Sequence, residues 1–136
     1  MRIVREQRQA ISTLEVLLTV PVLILVVAAV IEFGTMVSVN NRLANASAQG
    51  ARAASQGADE KEIESAVRES LGKGALEKAE VQMKIRDEQQ RRLPSGETVE
   101  VIVTIPANEA VPNLLRVIGY SLNDETLVGR TALRKE

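Results

Sequence analysis

Two acids flank an uncharged run. Residues 16–31 carry no ionisable side chain and are bracketed by Glu15 and Glu32. As a helix this run is about 24 Å long at ~1.5 Å per residue, against a bilayer core of about 30 Å. Extending it to 11–39 makes it long enough to span, and takes both glutamates inside its margins. A carboxylate at that depth is costly unless it is paired, so an intramembrane acid points to function. The chemistry open to Glu15 and Glu32 is charge pairing in a low dielectric, not turnover. The remaining composition points the same way. The 136 residues include no Cys, His or Trp. A thiol nucleophile, a disulfide framework, a Cys-zinc site and every histidine-based catalytic dyad are excluded. With one Phe, one Tyr and a formal charge of −1, the chain has neither a stacking platform nor a basic footprint for nucleic acid. No catalytic residue, metal ligand or cofactor is assigned.

The start of the chain narrows the reading of the apolar run. Arg2, Arg5 and Arg8 precede it, and Arg8-Gln9-Ala10-Ile11-Ser12-Thr13-Leu14-Glu15 leads into it. A cleaved secretory signal would place a small-residue site soon after the run. The nearest, Ala44-Asn45-Ala46, lies beyond a mostly polar stretch and is too distant. A plain N-terminal anchor accounts for the run but not for Glu15. Past the run, Val30-Ile31-Glu32-Phe33-Gly34 is followed by Asn40-Asn41-Arg42-Leu43-Ala44-Asn45-Ala46-Ser47-Ala48-Gln49-Gly50-Ala51-Arg52-Ala53-Ala54. Over residues 8–54 this resembles the TadE-like family of pseudopilins, the minor pilin-like proteins of tight-adherence (Flp-type) pili. Thr131-Ala132-Leu133-Arg134-Lys135-Glu136 is similar to the family's terminal strand. Ala10 stands where the family usually has glycine, and Val16 where an aromatic is usual.

The resemblance implies a structural function, as a minor pilin or pseudopilin that helps initiate or regulate pilus assembly. It implies cleavage by a prepilin peptidase between Ala10 and Ile11, which leaves the membrane helix in place. Glu15 would then meet the new amino terminus of a neighbouring subunit and set register, with Glu32 as a second assembly residue at the outer edge of the run. Implied partners are the peptidase, other pilins or pseudopilins, the assembly platform and membrane lipid. A type II secretion pseudopilin and an uncleaved, membrane-anchored envelope scaffold are the alternatives.

These residues need a framework to hold them. Three arginines against Glu6 on the N-terminal flank, with Arg42 the first cation on the other, predict an N-in topology across the inner membrane. The expected division is a cytoplasmic leader over 1–10, a transmembrane helix over 11–39 and an extracytoplasmic pilin-like domain over 40–136. The helix continues outside, because Met36, Val39, Leu43, Ala46, Gly50 and Ala53 share one face. Their shift towards small residues allows close packing. Pro21 is expected to disturb the helix locally, and Gly50 and Gly57 to mark where it loosens or ends. A second, short helix opens at Asp59 with the capping box Asp59-x-x-Glu62. It buries Ile63, Ala66, Val67 and Leu71 and stops at Gly72 and Gly74. Strands are expected over 79–86, 98–105 and 127–133, with a polar loop over 87–96. The fold class is α+β: a long membrane-spanning helix, a short helix and an antiparallel sheet of about three strands. The apolar run 111–122 is read either as a packed connection between strands or as an exposed patch that docks a partner pseudopilin or lies on the membrane.

Overall fold

The computed structural model describes residues 3–85 and 98–134; the side chains of 3–12 and of Ile85 fall outside that description. The expected loop over 87–96 and Arg86 lie outside the described residues. Helix α1 (Ile3–Ser55) is followed by α2 (Glu60–Leu71), β1 (Glu80–Ile85), β2 (Thr98–Pro106) and β3 (Thr126–Arg134), with single turns at Ala75–Lys78, Ala107–Ala110 and Leu114–Ile118. The sheet is antiparallel in the order β1-β2-β3. This is the α+β class that the periodicities predict.

Helix α1 is one element from before the apolar run to beyond the stripe of small residues. Pro21 lies inside it, and the expected disturbance does not break it. A proline removes one backbone donor and crowds one turn, and the turns on either side of Pro21 carry the helix through it. The hydroxyls of Thr19 and Thr35 donate back to the carbonyls of Glu15 and Ile31, both at 2.7 Å, and so meet their own hydrogen-bonding needs within the helix. Nor does Gly50 loosen the helix. It is buried within the helix, where an added Cβ would lie 2.5 Å from Val67 Cγ2 and 3.1 Å from Val101 Cγ1. Its missing side chain is the space into which α2 and β2 close. The helix ends before Gly57, whose φ of 86° suits glycine.

Helix α2 starts as its sequence dictates. The Asp59 side chain accepts from Glu62 N at 2.8 Å, and Glu62 Oε2 accepts from Asp59 N at 3.1 Å. Ile63, Val67 and Leu71 are buried and Ala66 is half-buried. Gly72 is the C-cap, while Gly74 opens the next single turn instead of ending α2.

The strictly alternating strand β2 is central. Val99, Val101, Val103 and Ile105 are buried on one face. At about 1.5–3 kcal/mol per fully buried aliphatic side chain, this strand is a major source of the domain's stability. Leu43, Ala46 and Ser47 of α1 lie against this face with β3. The covered arc of α1 also takes in Ala51 and Ala54, since α2 and the sheet flank the helix from two sides.

Strand β3 approaches α1 unusually closely. Gly129 faces Val103 in register, and a Cβ there would lie 2.3 Å from the carbonyl carbon and oxygen of Leu43. Helix backbone cannot move aside as a side-chain tip can. Gly129→Ala is therefore expected to destabilise the outer domain by about 3 kcal/mol, the upper end of overpacking costs. Denaturation of the detergent-solubilised full chain checks this, and a wild-type midpoint would show that the seam can open to admit a methyl group. Two residues along, Ser47 and Thr131 join helix to strand through their hydroxyls at 2.8 Å. Ser47 Oγ donates to Ala44 O at 2.8 Å, which leaves Thr131 to donate to Ser47.

Candidate functional site

The apolar run and the outer domain meet at Glu32. Leu14, Leu17, Leu18, Leu23, Ile24, Val27, Val30 and Val37 are all exposed on α1, and the described part of this helix is long and apolar enough to cross a membrane. Glu15 is exposed on the same stretch. Ala10 and Ile11 lie on the helical backbone of α1, with their side chains outside the described ones. Glu15 and Glu32 stand about 26 Å apart along the axis, and no direct link joins them.

Glu32 is 0% exposed. Its Oε2 accepts from the backbone N–H groups of Leu114 at 2.6 Å and Leu115 at 2.9 Å. These donors open the Leu114–Ile118 turn, and the first N–H groups of such a turn have no partner within it. The carboxylate supplies one, as a side-chain cap would, but from 82 residues away. A negative charge at the start of a helical turn is also favoured by the local backbone dipoles. Glu32 Oε1 and Asn113 Oδ1 are buried without a hydrogen-bond partner among the described residues. Glu32 is thus held by its own chain. The sequence contains no signal for this pairing beyond an acid at the end of an apolar run.

The run over 111–122 divides between the two readings given to it. Val111, Leu115 and Leu122 are buried, whereas Leu114, Val117, Ile118 and Tyr120 are exposed. Gly119, at φ 89°, closes the turn. The chain's two aromatics, Phe33 and Tyr120, meet beside it with ring centroids 6.1 Å apart at 49°.

The residues expected to pack α1 cluster above this level. Val39, Leu43, Ala46 and Gly50 are buried, and Met36 and Ala53 lie half-buried against the same cluster. Ala51, Ala54 and Ser47 complete it; all three fall one helical position from the expected stripe. Among the described residues, no group of three or more acids is placed to hold a metal ion.

An apolar helix long enough to cross a membrane becomes, without a joint, the spine of a small sheet domain. Residues 10–52 match the family model described as TadE-like protein, the family that the motifs of residues 8–54 resemble. No curated protein and no solved structure matches the chain.

Proposed function

We propose that this chain is a minor pilin or pseudopilin of a tight-adherence pilus, anchored in the inner membrane with its N-terminus in the cytoplasm and residues from about 40 onward outside. The observation that carries this reading is the family match over residues 10–52, which falls on one unbroken helix exposed along its apolar half and packed along its small-residue half. Cleavage by a prepilin peptidase after Ala10 leaves a charged amino group on Ile11, one helical turn from Glu15. Within lipid neither charge is stable alone. Staggered helices let the Glu15 of one subunit neutralise the amino terminus of another, which fixes their axial register. Glu32 contributes to assembly indirectly, by holding the outer domain in one pose on the helix. The partners are the peptidase, other pilins or pseudopilins, the assembly platform and lipid.

Processing tests this reading. Intact mass and N-terminal sequencing of the protein from native membranes are expected to give a chain beginning at Ile11. Ala10→Leu places a bulky side chain in a small-residue cleavage site and is expected to leave the chain uncut. A native chain that retains residues 1–10 would replace this reading with an uncleaved envelope scaffold. Normal cleavage of the leucine variant would move the cut elsewhere.

A further inference from the structure

We infer that the Leu114–Ile118 turn is a membrane-surface wedge: its apolar outer face lies in the interfacial layer of the lipid leaflet that α1 leaves, and Glu32 pins it there. The inference rests on the membrane-spanning reading of α1 and adds a second contact between the chain and lipid.

Three observations converge. The first is level. Exposed apolar side chains on α1 run from Leu14 to Val37, about 35 Å of helix, somewhat more than the ~30 Å hydrocarbon core. Glu32 falls inside the outer end of that band. A turn bonded directly to its carboxylate sits at the same height. The second is the pattern of exposure. The turn buries Leu115 inward and shows Leu114, Val117 and Ile118 outward, with Val117 89% exposed. Val30, Phe33 and Val37 of α1, close to Glu32 along the helix, are exposed as well. The third is residue type. Tyr120 pairs with Phe33 at this level, and the amphipathic ring of tyrosine is enriched at the headgroup layer. The exposed Arg116 lies within the turn, where its guanidinium suits lipid phosphate.

The wedge also explains the burial of Glu32. A carboxylate at the edge of an apolar band, facing lipid, would be costly. Two backbone N–H groups satisfy one of its oxygens, and the turn that provides them presents hydrocarbon, not charge, to the surroundings.

The chain contains no tryptophan, so a single introduced indole reports its own surroundings. The full-length Val117→Trp variant is reconstituted into vesicles of phosphatidylcholine and phosphatidylglycerol, with and without chains brominated near the headgroup. Its emission is expected to be blue-shifted and to fall by about half or more with brominated lipid, at an interfacial depth of about 5–10 Å. The effect should be the same at every protein-to-lipid ratio. Val117 is so exposed that the larger side chain displaces nothing in the core. Val128→Trp, on the exposed side of β3, should remain unquenched, and Leu23→Trp, within the span, should be strongly quenched. No quenching in the Val117→Trp variant, beside quenching in the Leu23→Trp variant, overturns the wedge alone. Shielding of the Val117→Trp indole that disappears on dilution into excess lipid overturns it in favour of contact with a second copy. No quenching in the Leu23→Trp variant removes the spanning reading itself, and the wedge with it.

Discussion

Glu32→Ala will release the Leu114–Ile118 turn from α1. The substitution removes the acceptor shared by the N–H groups of Leu114 and Leu115. Each buried donor left without a partner costs about 1–3 kcal/mol, and bonds to a charged acceptor lie at the upper end. The turn can lift and take up water, which limits the total to about 2–4 kcal/mol. Hydrogen exchange of the full chain in lipid nanodiscs reads this directly. Protection of the Leu114 and Leu115 amides should fall about 30-fold or more, at about 1.4 kcal/mol per decade. Amides in β2 should change far less, because Val101, Val103 and Ile105 are held by the helix–sheet core. Glu32→Gln keeps an oxygen that can accept both N–H groups and should retain most of the protection. Unchanged exchange at Leu114 and Leu115 in the alanine variant would mean that packing of Leu115 alone holds the turn.

The Glu15→Ala variant should insert normally and build few or no pili. Replacing an acid at the margin of an apolar run lowers the cost of insertion, so the protein should reach the membrane fraction at wild-type levels. In the proposed assembly the change would leave the charged amino group of a neighbour without its partner. Uncompensated buried charge costs about 3–5 kcal/mol, enough to weaken each subunit contact by more than about a hundredfold. Filament counts by electron microscopy, set against membrane-fraction protein levels, separate this from a loss of expression. Wild-type pilus numbers at equal protein level would remove Glu15 from assembly.

Much of this molecule can be read from local pattern, and the rest cannot for a common reason. The apolar run, the capping box at Asp59 and the alternation in β2 are short-range signals. A helix face, a cap or a strand face is decided by residues within one or two turns, and those elements appear where they are expected. The expected strand over 127–133 also appears, as Thr126–Arg134. What escapes depends on partners far apart in sequence. Glu32 finds its donors 82 residues on, and Ser47 finds Thr131 across 84. Neither link has a period or a spacing. Gly129 looks like an ordinary weak point in a strand, and only the backbone of Leu43 pressed against it reveals its purpose. Gly50 is open to two readings in the sequence, as a place of loosening or of close approach, and three-dimensional packing decides for close approach. Among the candidate residues, the packing stripe on α1 is legible from spacing, whereas the engagement of Glu32 is not.

Because α1 passes from the apolar stretch into the sheet domain without a joint, the head has no independent orientation. On the proposed spanning reading it is a rigid arm whose pivot is the bilayer. From Glu32 to Ser55 the arm is about 35 Å long. Spanning helices tilt by about 20° on average and adjust to bilayer thickness. A change in tilt of about 10° would sweep the far end of the arm through about 6 Å, more than the width of one strand spacing. Membrane thickness would thereby steer where the sheet faces, and a sideways load on the head would be felt as torque on the buried segment, with no hinge to absorb it.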